Sequence, residues 1–358
     1  ATGVVSNYLA ECEKAGVEIA VHQRELAVGG FVEVLSSLRR IVAAWRRLGR
    51  LVTEAKPSLA VLVDSPDFNL PFARRLRRAG VPILYYVSPQ VWAWRRGRVR
   101  KPARRVDRMA AIFPCEPAVY AGTPLRVDFV GHPLVEPLAG LAARTDREAA
   151  RAALSLPAEG PLVALLPGSR RTELKHHLGL FLESAAAPRP LRPGTGFVLA
   201  LAPSIAREDF EATLRGSSQA PGLPLRVVSG RSHEVMLAAD AILAKPGTVS
   251  VEAMLLDRPM VVAGRTSWLS AILARGLVDV PTFTMANLIA DAPVVPEFLQ
   301  EAARPAAIAS ALAQLLEGPA AAIQRARLAP VRARLGAGGA ARRAAAIAEE
   351  MLRGPARA

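Results

Sequence analysis

The sequence is poor in cysteine, aromatic residues and acids. Only Cys12 and Cys115 occur, far apart and without metal-type spacing, which excludes a disulfide framework and a thiolate metal site as organising devices. Aromatic residues make up 5% of the chain, too few for a base-stacking platform. No run approaches the roughly eighteen consecutive apolar residues of a membrane span. The N-terminus lacks the three-part pattern of a secretory signal, so the cytoplasm is the expected compartment. Acids number 31 against 46 Lys and Arg, a formal charge of +15 carried mostly by Arg. A basic surface draws phosphates of any kind, on nucleic acid, anionic lipid or nucleotide sugar, so local motifs must choose among them. No helix-turn-helix, zinc or RNP-type motif accompanies the charge, which argues against nucleic acid. No G-x-G-x-x-G fingerprint is present, which argues against a dinucleotide cofactor.

What is present is ample apolar material, 51% of 358 residues, enough for two domains. Short β-rich runs alternate with amphipathic segments: LAVLVD (59–64), PILYYVS (82–88), RMAAIFP (108–114) and RVDFVG (126–131). After a Pro-bounded crossing at 136–160 with one short helix, a second series follows: PLVALLP (161–167), GFVLALA (196–202), PLRVVSG (224–230), AAILAKPG near 240–247 and PMVVAG (259–264). Strand and helix in alternation predict parallel βαβ units, hence an α/β chain of two Rossmann-like domains, 1–135 and 161–301, facing across a cleft. Residues 302–358 are Ala, Arg and Leu with helical periodicity and no strand signal, so they are expected as helices packed on the rest.

Three strand ends carry chemistry. LLPGSRRTE (165–173) is a buried strand, a Pro-Gly-Ser turn and a helix start. Gly168 lets the backbone approach a ligand, Ser169 offers a hydroxyl, and free N–H groups with Arg170 suit a diphosphate; a capped turn with a solvated basic face fits equally well. His176 and His177, further along, are expected to be exposed and are not metal ligands. LVDSPDFN (62–69) ends a strand with Asp64, whose carboxylate at a cleft can accept a proton from a hydroxyl; an Asx turn is the plainer reading. AKPGTVSVEAM (244–254) repeats the strand, Pro-Gly-Thr turn and helix, with Glu252 able to take the two hydroxyls of a ribose. In VSPQVWAWRRGRVRK (87–101) Trp92 and Trp94 read as packing residues at a cleft rim before a solvated basic face, and Pro102 is expected to kink or shorten the next helix.

Together these segments resemble the lipid-A-disaccharide synthase family. The resemblance rests on ELAVGGFVEVL (25–35), DSPDFN (64–69), YVSPQVWAWRRGRVRK (86–101), FVGHPL (129–134), LLPGSRRTE (165–173), GTVSVEA (247–253), PMVV (259–262) and NLIA (287–290), in order and at the family's spacings. It implies the GT-B arrangement and an inverting glycosyl transfer with no metal and no cofactor. The donor it implies is UDP-2,3-diacylglucosamine, the acceptor 2,3-diacylglucosamine 1-phosphate, and the product a β-1,6 disaccharide phosphate. Asp64 matches the family's essential aspartate and is the implied general base. Gly168, Ser169 and Arg170 are implied at the donor diphosphate, and Gly247, Thr248, Glu252 and Asn287 at the donor nucleotide. Ser88, Trp92, Trp94, Arg95 and His132 are implied on the acceptor side.

Because both implied substrates carry acyl chains, the expected location is the cytoplasmic face of the inner membrane, as a peripheral protein against an anionic surface. Phe31, Val32, Val34, Leu35 and Leu38, with Ile41 and Val42 and interleaved arginines, read as the membrane patch; a core-facing helix is the plainer alternative. Arg96 and Arg98 would serve phosphates or headgroups, no nucleic-acid partner is expected, and a homodimer is compatible. The family opens with a strand and a G-E-x-S-G-D loop that is not found here, so the first βα unit is expected to be missing and one sheet edge exposed. Two alternatives stay open: another GT-B UDP-sugar enzyme, an epimerase or peptidoglycan-type transferase, or an inactive truncated relative.

Overall fold

The computed structural model describes residues 2–5, 16–22, 34–89, 99–187, 191–215, 222–265 and 282–354. Its strands, in chain order, are β1 (Thr2–Val5), β2 (Glu18–His22), β3 (Ala60–Val63), β4 (Ile83–Tyr86), β5 (Arg108–Ala111), β6 (Arg126–Phe129), β7 (Leu162–Leu166), β8 (Gly196–Leu201), β9 (Leu225–Ser229), β10 (Ala241–Ala244), β11 (Met260–Gly264) and β12 (Glu297–Leu299). They form a parallel pair β1-β2, a sheet in the order β3-β4-β5-β6 and a sheet in the order β12-β11-β10-β7-β8-β9, with neighbouring strands parallel throughout. Every strand run read from the sequence is a strand; β1, β2 and β12 were not read.

The larger sheet shows why its runs read as continuous apolar stretches. Val163, Leu165, Leu199, Leu243 and Val261 enter one core, while Ala164, Leu166, Val198, Ile242 and Val262 enter the core on the opposite face. Helices cover both faces, so on the inner strands β7, β8, β10 and β11 side chains are buried whichever way they point, whereas Arg226 and Ser229 on the edge strand β9 are exposed. In the smaller sheet β3 pairs only with β4 among the described residues, and Val61 and Val63 on it are 49% and 52% exposed.

The segment at 136–160 holds two helices, Val135–Arg144 and Arg147–Ala153, where one was expected. Asp146 caps the second by accepting the Ala149 amide at 2.8 Å, which starts a new helix after a break of two residues. Leu138, Ala150 and Leu156 enter the larger sheet's core, so the segment packs on that sheet. Arg151 fixes it: 1% exposed, it donates to the Ala238, Ala158 and Gly160 carbonyls at 2.9, 3.0 and 3.0 Å and pairs with Asp240 at 2.8 Å.

Three helices, Pro305–Leu316, Ala320–Ala333 and Ala340–Arg353, close the chain, as expected for this region. The last returns to the smaller sheet, where Ala344 and Ile347 pack against Leu84, Ala110 and Val130 and Glu350 pairs with Arg108 at 2.7 Å. The helix holding Pro102 is a single turn, Arg100–Ala103, as that proline demands. Among the described residues no single helix is long and apolar enough to cross a membrane.

Candidate functional site

β7 and β10 are neighbours at the point where the larger sheet's order reverses, and ligands of doubly wound sheets bind outside the C-terminal strand ends at such a point. Both Pro-Gly turns lie there. Gly168 has φ 128°, a left-handed value that disfavours side chains, and a Cβ on it would fall 2.5 Å from a Glu173 carboxylate oxygen. Gly247 has φ 138°, and a Cβ on it would stand 3.2 Å from Lys245 Nζ.

The structure corrects one expectation at the first turn. The amides of Ser169 and Arg170 are not free but donate to Glu173 Oε2 at 2.9 and 3.3 Å. Glu173 is the third residue of the helix Arg171–Ala185 and folds back on its start, as acids at that position do. Its other oxygen accepts from Lys245 Nζ at 3.1 Å, so one ion pair ties the two turns together. Burial alone would raise the Glu173 pKa, but the Lys245 ammonium and the Ser169 amide outweigh it and hold the carboxyl below its usual range. The Arg170 side chain is 80% exposed and reaches Glu173 only at 3.9 Å, leaving its guanidinium available to a ligand. His176 is exposed as expected, but His177 is buried, its Nδ1 2.7 Å from the Glu173 carbonyl, because the inner face of this helix covers the sheet.

Behind the second turn, Glu252 on the helix Val249–Leu255 pairs with His233 Nε2 at 3.1 Å, whereas Thr248 before it is exposed with no side-chain cap bond. The hydrogen bond to Glu252 raises the His233 pKa against burial, which lowers it. The smaller sheet contributes His132, from the turn after β6, whose backbone amide donates to the Leu335 carbonyl at 2.9 Å. It is 3% exposed, with its ring centroid 5.3 Å from that of Phe113. Burial pushes its pKa down to about 4 while the Glu252 charge pulls it up, which places the two residues within electrostatic reach. The Leu134 amide donates to His132 Nδ1 at 3.3 Å, so the proton of the neutral ring sits on Nε2.

Two opposite pH effects follow. The stability contributed by protonated His233 is complete below its unfolded value of 6.5 and is lost as pH rises through its raised folded value. The stability contributed by neutral His132 is complete above 6.5 and is lost as pH falls towards about 4. In Glu252→Gln, imidazole NMR should show the His233 titration moving down, because burial is then opposed only by the smaller contribution of the Glu234 charge. An unchanged titration would refute the pairing.

On the smaller sheet Asp64 and Ser65 both sit in the left-handed region, φ 46° and 43°, at the end of β3. The turn is held through the Asp64 carbonyl, which accepts from Tyr85 Oη at 2.5 Å and Asn69 Nδ2 at 2.7 Å. The Asp64 side chain belongs to an exposed residue, and no ion pair joins it to Arg170 among the described residues. Ser88 is buried, its hydroxyl 3.5 Å from Tyr120 Oη.

Asn287 departs from its expected place at the nucleotide. It is 2% exposed, its Oδ1 accepts from the Val294 and Val295 amides at 2.9 and 2.7 Å, and its Nδ2 donates to the Val295 carbonyl at 2.9 Å. Its amide is spent on shaping the following loop, leaving no group for direct contact. Phe31, Val32, Trp92, Trp94, Arg95, Arg96 and Arg98 lie outside the described residues, as do the side chains of Val34, Leu35 and Leu38 on the helix Val34–Ala55. On that helix Ile41 is half-buried and Val42 41% exposed, while Ala44, Leu48 and Val52 enter the core. Sequence reasoning missed Glu173, Lys245 and His233. The acid three residues after Arg170 was the visible signal for the first, whereas the other two are defined only by contacts through space.

Two helix-covered parallel sheets, with a last helix returning to the first, define a GT-B α/β protein. Solved structures share this fold: a Listeria monocytogenes protein assigned as a UDP-N-acetylglucosamine 2-epimerase has a TM-score of 0.65 at 11% identity, covering 97% of this chain and 85% of that one. Anabaena HepE, solved with UDP and glucose, has a TM-score of 0.53 at 15% identity, covering 97% and 89%. A family profile described as lipid-A-disaccharide synthetase matches residues 1–350. The lipid-A-disaccharide synthase of Anaeromyxobacter dehalogenans (strain 2CP-1) is 44% identical over 341 residues, 95% of this chain and 86% of that protein. That of Pseudomonas aeruginosa (strain UCBPP-PA14) is 42% identical over 305 residues, 85% and 79% respectively. The chain belongs to the lipid-A-disaccharide synthetase family.

Proposed function

We propose that the protein is a hexosyltransferase of lipid A biosynthesis, joining UDP-2,3-diacylglucosamine to 2,3-diacylglucosamine 1-phosphate to give the β-1,6 disaccharide 1-phosphate and UDP. The observation that carries this reading, within a chain of this family, is the meeting of two glycine turns at the β7/β10 switch point, tied by Lys245 and Glu173. Gly168, Ser169 and Arg170 take the donor diphosphate, while Gly247, Thr248 and Glu252 take its nucleotide. Asp64 removes the proton of the acceptor 6-hydroxyl, the oxygen attacks C1 of the donor sugar from the face opposite the diphosphate, and the bond from C1 to the UDP oxygen breaks. Negative charge grows on the departing diphosphate, where the exposed Arg170 guanidinium and the Lys245 ammonium oppose it.

Ser88, Trp92, Trp94, Arg95 and His132 form the acceptor side. The acyl chains of both substrates keep the enzyme at an anionic inner-membrane surface, facing the cytoplasm. The test is product analysis with both lipids in mixed micelles. A disaccharide phosphate released in step with UDP supports the reading; an epimerised free sugar, or no turnover, overturns it. Arg170→Ala should lower kcat/KM by about tenfold to a hundredfold, the scale of one charge-assisted contact.

A further inference from the structure

The helices Val34–Ala55 and Pro66–Arg78 enclose an open groove of about 510 Å³ lined by Trp45, Pro71, Arg74, Arg75 and Arg78. Its apolar wall is fixed: the half-buried Trp45 ring meets Phe68 and Phe72 edge-on, with centroids 5.5 and 5.4 Å apart. Arg75 is laid across the neighbouring helix at Gly49, where a Cβ would fall 1.9 Å from the guanidinium carbon.

Among the described residues no carboxylate pairs with Arg74, Arg75 or Arg78, whereas Arg77 on the same helix pairs with Asp107 at 3.6 Å. Arg105 stands close enough to Arg74 that, after burial, its neighbour's charge further depresses its pKa. Exposed Arg46, Arg47 and Arg50 continue the positive band along the first helix, whose one acid is Glu54. Arg74 stands about two turns, ~12 Å of rise at ~1.5 Å per residue, beyond the start of its helix at Pro66, which follows the Asp64 turn.

An indole beside several unpaired guanidinium groups suits the boundary between hydrocarbon and phosphate, where tryptophan partitions and arginine holds phosphate oxygens. We propose that this groove is a headgroup site which seats the protein on an anionic bilayer by gripping a lipid phosphate between Arg74, Arg75 and Arg78 over Trp45. The choice of a bilayer as occupant rests on the proposed function with acylated substrates; the groove's charge stands independently of it.

The experiment is sedimentation of the full chain, without substrates, with vesicles of phosphatidylcholine containing about a third phosphatidylglycerol. An arginine near an anionic surface is worth roughly fivefold in partitioning, so Arg74→Gln/Arg78→Gln should bind about thirtyfold more weakly. Arg74→Lys/Arg78→Lys should retain most of the binding, which separates charge loss from misfolding. Equal sedimentation of the wild type and the Gln pair overturns the proposal. So does displacement by inorganic phosphate well beyond that by chloride at matched ionic strength, which would make free phosphate the ligand. Binding of duplex DNA with the same dependence on Arg74 and Arg78, and none to vesicles, would assign the groove to nucleic acid instead. Because no turnover is measured, failure here leaves the product assay standing, and failure of that assay leaves this one readable.

Discussion

Replacing Asp64 by Asn is expected to lower kcat by about a hundredfold to ten-thousandfold with little change in donor KM, the range for losing a positioned general base. The substitution is close to isosteric, and Asn adopts left-handed backbone readily, so the turn at φ 46° and 43° should survive. The bonds that hold this turn use the Asp64 carbonyl and its amide, which donates to the Tyr86 carbonyl at 3.0 Å. The side-chain carboxylate takes no part in them. A loss in Asp64→Asn therefore reports the proton acceptor and not the fold. Stopped assays of disaccharide formation at saturating donor and acceptor provide the check. A residual rate within a few-fold of wild type would reduce Asp64 to an organiser of the turn.

The inner strands of the larger sheet were legible because burial on both faces of a covered parallel sheet leaves uninterrupted apolar runs such as Leu162–Leu166, too short for a helix of ordinary length. The glycine turns were legible for a different reason. At Gly168 both the backbone angle and the Glu173 side chain exclude a Cβ, and at Gly247 the backbone angle does, so each constraint leaves its mark in one sequence position. Contacts between distant segments leave no such mark. His233 and Glu252 are nineteen residues apart and meet only because two helices flank the same strand ends. The free amides expected after β7 failed for a local reason within reach of the sequence, since Glu173 occupies the capping-box position. β12, a three-residue edge strand that exposes part of each side chain, has too little apolar character to be read at all.

The larger structural effect belongs to Arg151→Ala, expected to destabilise the protein by about 3–5 kcal/mol, the range for removing one partner of a buried ion pair. The guanidinium is 1% exposed, and its loss would leave the Ala238, Ala158 and Gly160 carbonyls without their donor. Asp240 would keep Arg147 at 2.7 Å and the Leu162 amide at 2.9 Å, so the cost should come mostly from the stranded carbonyls and the emptied volume. A cycle with Asp240→Asn separates the terms: if the ion pair dominated, the two losses would be far from additive. Arg207→Ala is the contrasting control. Its pair with Glu211 at 3.0 Å is an exposed i,i+4 contact and should cost under about 0.5 kcal/mol. Urea unfolding midpoints measure the four variants against the wild type, and an Arg151→Ala midpoint indistinguishable from that of Arg207→Ala would refute the web. Because Arg151 braces the start of β7 and β10, far from their glycine turns, kcat per folded molecule should stay at the wild-type value even as the folded fraction falls.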